Sequence, residues 1–454
     1  MTFTKNVLSG KVYSFPRGGI LYTDTNVPSR ESFETAYLPS LSVIPLENHS
    51  GTGRAYPVVS VGEQVKEGML IARGRGPGSA NIHATVPGRV IRIVSYRSAG
   101  GHVQNGIVIR LEGCFEKLGR REEVYSWEGM FHYDIQRTIS EFGVVEMEGK
   151  GRPVSEMISA FRSTPEPNTL VVRCVFDDPW LAADYVLCKE RAADVVEGAV
   201  ITARCSKVSK IIYAISQGER ELGERFVSAG AKWGIPANTV LVGSRYPQRN
   251  QRELELVLRN YEKKEGVELG SLLILGPATL AAVYDAVRKR KPPVERFITV
   301  GGSAVRQPKV MKVRIGKRIG DIFDECGGFK GNPKRIAIGS PLLGRPVLDL
   351  DEPVAKTSYA VFALLEGFRR GEPEIRSSSS CIGCGECRNV CPVGLDPEEL
   401  YKRVLLFSKG VTGGDISPDR SPECHGCACC EVVCPSALPL SASLRAVHSG
   451  GHSD

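Results

Sequence analysis

The sequence predicts a multidomain chain of β and α/β modules: a short-stranded all-β module, a three-layer α/β domain, a second short-stranded module and a helical C-terminal domain. Three observations carry this. Apolar runs separated by Gly and charged turns follow one another from about Leu41 to Leu111. From about residue 130 to 290 the rhythm changes to buried-type strands alternating with amphipathic helices. Cysteines crowd into two runs between Cys381 and Cys434.

The 454 residues are enough for about three or four domains. The net charge of +8 is dispersed, which argues against nucleic-acid binding. The N-terminus has no charged stretch leading into an apolar run of signal-peptide length. No stretch reaches the ~18 consecutive apolar residues of a membrane span, so no transmembrane segment is expected.

Residues 1–40, Gly- and Pro-rich around Phe15-Pro-Arg-Gly-Gly-Ile20, read as an irregular lead-in. Residues 41–115 hold strands at Ser42–Leu46, Pro57–Ser60, Met69–Ala72, Arg89–Val94 and Gly106–Leu111. Val61–Leu70 and His83–Val90 give this module a similarity to the barrel-sandwich hybrid of biotinyl and lipoyl domains. It lacks a lysine in a tight turn to carry a swinging cofactor, so a rigid docking module is expected. His83 and His102 read as surface or satisfied residues rather than metal ligands.

Residues 130–290 read as a Rossmann-like three-layer α/β domain. Strands are expected at Asn168–Arg173, Lys210–Ile215 and Ser271–Leu275. Helices are expected at Ala182–Ala199, Gly218–Trp233, Gln251–Lys263 and Ala278–Arg288. Residues 295–350 resemble a β-grasp (SLBB-like) module, with strands at Arg296–Val300, Lys309–Arg314 and Arg335–Ile338 around a short helix at Ile319–Phe323. Residues 371–380 are a polar linker, and 381–445 form a helical domain. Asp396, Pro397 and Gly410 mark the start and stop of a helix between the two cysteine runs.

Both runs, Cys381–Pro392 and Cys424–Pro435, read C-x2-C-x2-C-x3-C-P. That spacing lets three thiolates close around one face of a cubane cluster, with the fourth Cys reaching the other cluster in two-cluster ferredoxins. It assigns Cys381, Cys384, Cys387 and Cys434 to one [4Fe-4S] cluster, and Cys424, Cys427, Cys430 and Cys391 to a second. Structural zinc prefers paired C-x2-C hooks farther apart. Cys429, between two ligands, reads as a small buried residue rather than a ligand. Cluster thiolates imply a reducing compartment.

In order and motif the chain resembles the RnfC subunit of the Rnf electron transport complex, an ion-translocating ferredoxin:NAD oxidoreductase of bacterial membranes. The resemblance rests on Arg17–Ile20, Val43–Leu46, Val61–Val65, His83–Gly88, Gly339–Gly344 and both cysteine runs. It implies NADH and FMN in the α/β domain, two clusters as a wire, and a peripheral place on the cytoplasmic face of the inner membrane, docked on partner subunits. A cobalamin reductase shares the modules in another order and resembles the chain less.

The chain departs from the family pattern at the nucleotide site. The glycine-rich loop of the family, G-I-V-G-x-G-G-A-x-F-P-T-x-x-K, becomes Gly143–Met157 here. Glu146 and Glu148 replace glycines, Arg152 replaces the aromatic before Pro153, and Met157 replaces a phosphate-pairing Lys. The family motif N-G-A-E-C-E-P keeps Pro179, with Asp178 as a shorter acid, and Arg249 replaces a Gly after Tyr246–Gln248. Carboxylates beside a phosphate are repulsive. The remnant site is therefore Gly143, Gly149, Pro153, Asp178 and Pro179, with FMN and NADH binding expected to be lost or rebuilt. Electrons would then enter from a soluble carrier such as a ferredoxin or flavodoxin. The rival readings are an NADH-dependent flavoenzyme and a non-redox docking scaffold.

Overall fold

The computed structural model describes residues 10–21, 27–47, 53–98, 101–115, 123–178, 180–365, 380–408, 423–441 and 443–444. Two short strands come first, β1 (Val12–Tyr13) and β2 (Glu34–Thr35). The lead-in is thus not wholly irregular. Two residues are too short to show a period in sequence, and each strand is defined by the sheet edge it joins. β1 runs parallel to Leu241–Val242, and β2 parallel to Met311–Lys312.

The first module comprises β3 (Leu41–Pro45), β4 (Ala55–Pro57), β5 (Gln64–Val65), β6 (Leu70–Gly74), β7 (Ile82–His83), β8 (Gly88–Arg97) and β9 (Val103–Leu111). They form a four-stranded sheet, β3-β9-β8-β5, and a three-stranded sheet, β4-β6-β7. Ile44, Ile71, Val86, Val90, Ile107 and Ile109 fill its core. His83 is not at the surface. It is buried with Nδ1 unpartnered, and desolvation next to Lys356 pushes its pKa down to about 3. His102 is exposed.

The α/β domain follows with α1 (His132–Glu141), α2 (Val154–Arg162), β10 (Asn168–Cys174), α3 (Ala183–Glu190), α4 (Ala192–Ser206), β11 (Lys210–Ser216), α5 (Arg220–Gly230), β12 (Ala237–Val242), α6 (Gln251–Glu265), β13 (Ser271–Leu275) and α7 (Pro277–Arg288). The sheet is all parallel, in the order β1-β12-β11-β10-β13. One face is covered by α4, α5 and α7, the other by α6 through Leu254, Val257, Leu258 and Tyr261. The expected helix at Ala182–Ala199 is two helices. Arg191 leaves helical geometry between them (φ −124°, ψ 35°), and its guanidinium pairs with Asp194 and Asp285. β12 carries only two strongly apolar inward residues, Val240 and Val242, so its pattern is faint in sequence.

The second small module holds β14 (Glu295–Gly301), β15 (Lys309–Arg314), α8 (Ile319–Glu325), β16 (Arg335–Ile338), β17 (Arg345–Pro346) and β18 (Ala360–Leu364). Its sheet order is β17-β16-β18-β14-β15-β2. The fully buried β18 lies beyond the boundary expected at residue 350 and pairs with both β14 and β16. The C-terminal region contains α9 (Glu386–Asn389), α10 (Pro397–Ser408) and α11 (Cys429–Val433). It is helical, as expected. The linker at 371–379 and the helix stop at Gly410 lie outside the described residues. No helix of the described residues is long and apolar enough to cross a membrane.

Candidate functional site

The two cysteine runs fold alike. Gly383 and Gly426 take positive φ (69° and 65°), as do Gly385 and Ala428 (73° and 63°). Each run thus coils over its second Cys and enters a short helix, α9 or α11, carrying the third. Backbone amides are aimed at sulfur: Gly383 N donates to Cys381 Sγ at 3.4 Å, Gly426 N to Cys424 Sγ at 3.4 Å and Leu395 N to Cys391 Sγ at 3.2 Å. Such donors favour thiolate over thiol.

The structure brings Cys391 of the first run to the second. Cys391, Cys424, Cys427 and Cys430 line one small cavity, with Leu395 and Leu444 in its wall. Cys434 of the second run packs with Cys381 and Cys387 around Leu438, Leu440 and Tyr401, while Cys384 is exposed. All fourteen cysteines are free of disulfides. Among the described residues no three His, Cys, Asp or Glu side chains converge as they would on one metal ion. Thiolates around a cubane stand farther apart, because the irons and sulfides lie between them. Cys429 is fully buried, and its thiol is held to Cys427, the largest cause of the lowered Cys427 pKa.

The cavity with Cys391 abuts the α/β domain, through residues that sequence reasoning did not tie to the cysteines. Gly19 N donates to Val390 O at 2.9 Å, and Tyr246 Oη donates to Cys427 O at 2.9 Å. A Cβ on Gly18 would stand 2.6 Å from Cys391 O. Arg245 holds this strap by donating to Gly18 O and Phe15 O, each at 2.7 Å. His425 Nδ1 meets the fully buried Glu253 Oε1 at 2.6 Å. Only the motif Arg17-Gly-Gly-Ile20 hinted at this strap in sequence.

The remnant nucleotide residues scatter. Gly143 (φ 63°) faces the first small module, where a Cβ would lie 2.0 Å from Asn81 O. The buried Lys356 Nζ bridges Gly143 O and Asn81 O at 2.7 and 2.9 Å, and desolvation pushes its pKa down to about 7. Pro153 precedes α2, Met157 packs partly buried on the core, and Pro179 lies outside the described residues. Asp178 lies in a buried network of charged groups, and Gly149, itself exposed, packs on one of its carboxylates.

In that network the carboxylates of Glu146 and Glu148 fold back onto glycine. A Cβ on Gly149 would meet Glu146 Cδ at 2.3 Å, and one on Gly276 would meet Glu148 Cδ at 2.4 Å. Glu148 accepts from Thr279 N at 3.0 Å and from Thr279 Oγ1, at the start of α7. Burial, and next the charge of Asp184, raise its pKa. Arg249 Nη2 pairs with Asp184 at 2.5 Å, and Arg249 N donates to Asp177 Oδ2 at 3.0 Å. Trp180 N donates to Asp178 Oδ1 at 3.1 Å. Burial pushes Asp177 up to about 7 and Asp178 up to about 6.

Family models match three parts of the chain: the RnfC barrel sandwich hybrid domain at residues 13–113, the Nuo51 FMN-binding domain at 139–285, and a 4Fe-4S binding domain at 375–395. The last holds the first cysteine run only. Among curated relatives, the C subunit of the ion-translocating oxidoreductase complex of Rhodobacter capsulatus is 32% identical over 394 residues, covering 86% of this chain and 74% of that protein. The C subunit of the proton-translocating ferredoxin:NAD(+) oxidoreductase complex of Clostridium ljungdahlii is 31% identical, covering 85% and 83%. The Na(+)-translocating counterpart of Acetobacterium woodii is 25% identical, covering 79% and 80%. Paired cysteine runs, an FMN-domain fold and identity along most of both chains agree, and the chain belongs to the RnfC family, the C subunits of Rnf-type ion-translocating oxidoreductase complexes.

Proposed function

We propose that this chain is the peripheral electron-transfer arm of a membrane-bound Rnf-type complex, docked on partner subunits at the cytoplasmic face of the bacterial inner membrane. The carrying observation is the gathering of Cys391, Cys424, Cys427 and Cys430 around one cavity seated on the α/β domain. In this reading Cys381, Cys384, Cys387 and Cys434 hold one [4Fe-4S] cluster, and Cys424, Cys427, Cys430 and Cys391 the other. When bound, such clusters supply one-electron transfer at a potential tuned by the surrounding donors. The chain's own part is to fix the thiolates, aim amide donors at sulfur and exclude water from the inner site. In this reading the domains run 41–115, 130–290 and 381–445, and the module resembling a β-grasp runs on to β18.

The reading includes loss of NADH and FMN chemistry, with entry from a ferredoxin- or flavodoxin-like carrier. What supports it is the filling of the loop by Glu146 and Glu148. The match of an FMN-binding family model to residues 139–285 favours the opposite, a remodelled site that still holds flavin. An FMN titration of the anaerobically purified protein, read by flavin fluorescence, decides between them: saturable one-to-one binding selects the flavin reading. The relay itself is tested by iron analysis and EPR of wild type against Cys391→Ala. Two spectrally distinct reduced clusters in wild type, one of them missing in the variant, are expected. A wild type with zinc and no reducible iron would sink the proposal.

A further inference from the structure

We infer that Glu148 is a built-in occupant of an anion cradle at the start of α7, standing where a flavin phosphate would otherwise bind. The inference rests on the proposed loss of FMN and names its device. The first residues of α7 present backbone N–H groups with no partner inside the helix, and a helix of twelve residues adds its dipole. The Glu148 carboxylate takes that place, against Thr279 N and Thr279 Oγ1. Gly276 leaves it room, since a Cβ there would collide with its carboxyl carbon.

A second observation points to the same spot independently. Arg296 is 3% exposed and its Nη2 has no hydrogen-bond partner. Its Nη1 donates to Met147 O at 3.1 Å, on the residue before Glu148. A buried guanidinium nitrogen without an acceptor, on a side chain hydrogen-bonded to the residue before Glu148, leaves a donor that an anion larger than a carboxylate could take up. The charge of Arg296 is answered by Glu148 and Asp184. Glu146 closes the loop from the other side, under Gly149, where it also meets Arg152 Nε at 3.7 Å. A flavin phosphate does not fit beside these two carboxylates, because it would need the volume they fill and would face their charge.

The experiment uses the full-length, anaerobically purified protein and inorganic phosphate as probe, read by thermal unfolding. In Glu148→Ala the cradle is freed, and millimolar phosphate should raise the melting temperature by about 2–4 °C while leaving wild type unmoved. Glu146→Gly/Glu148→Gly should in addition quench FMN fluorescence saturably, and riboflavin at least about tenfold more weakly, a preference that a phosphate contact of about 1.4 kcal/mol would give. If neither variant responds to phosphate or FMN, the built-in occupant is overturned and the proposed loss of FMN still stands. If wild type itself binds FMN, that loss fails first. Should the double variant not fold, the phosphate response of Glu148→Ala decides alone, and should that fail to fold, the same response in Glu148→Ser, which also frees the volume and removes the charge, decides.

Discussion

At Gly18 the backbone takes φ 68°, and the space a side chain would need is filled by the Cys391 carbonyl. Gly18→Ala should cost about 2 kcal/mol or more, from left-handed strain and the clash together. The check is cluster content and thermal melting of the purified variant, with the cavity around Cys391 losing iron first. Cys429, fully buried against Cys427, should tolerate Cys429→Ala with iron content unchanged if, as proposed, Cys427 is the ligand and Cys429 only its neighbour; loss of half the iron would make it a ligand. Asp177 gives a pH signature. Burial raises its pKa from 3.8 to about 7, so in that window the folded chain holds a proton that the unfolded chain has released. Stability from this group is therefore fully present at low pH and lost as pH rises through the window. The urea stability of wild type relative to Asp177→Asn should fall by about 1–3 kcal/mol from acid to neutral pH. A flat difference would mean Asp177 is charged in the fold.

Among elements, the strap from β1 to Ile20 joins two regions that sequence reading kept apart. Arg245 grips it at two carbonyls and stacks over Phe15 at 4.7 Å. Charge-assisted bonds of this kind are worth about 1.5–3 kcal/mol each when buried. Arg245→Ala should free the strap and expose the Cys391-lined cavity, the proposed inner cluster site, measured as faster bleaching of cluster absorbance in air. Unchanged bleaching would mean Gly19 and Tyr246 hold the seat without it. The split of the expected helix into α3 and α4 belongs here too. Apolar spacing continues through Arg191, so nothing local announces the break; the distant Asp285 on α7 fixes it.

On the scale of the molecule, the described residues of the cysteine domain form only small apolar patches: Leu395, Leu400, Val404 and Leu444 in one, Leu438 and Leu440 in another. The three other modules each carry a continuous core. Iron removal by chelation should therefore unfold residues around 381–444 while the rest keeps its melting transition, because a metal-held fold draws its folding energy from the metal. Limited proteolysis of holo and chelated protein reads this directly, and a single cooperative transition after chelation would show that the seat on the α/β domain holds the region together without metal.

Sequence alone determined the module order, the parallel α/β layer and the two cysteine runs, because each is written in local spacing: period, caps and C-x2-C-x2-C-x3-C-P. It also marked Glu146 and Glu148 as out of place. Only the tertiary structure decided what those carboxylates touch, that Gly143 packs on Asn81, and that Gly18 and Gly19 pack against Val390 and Cys391. Those contacts join residues hundreds of positions apart. They depend on which surfaces meet after folding, and no local pattern of residue types carries that information.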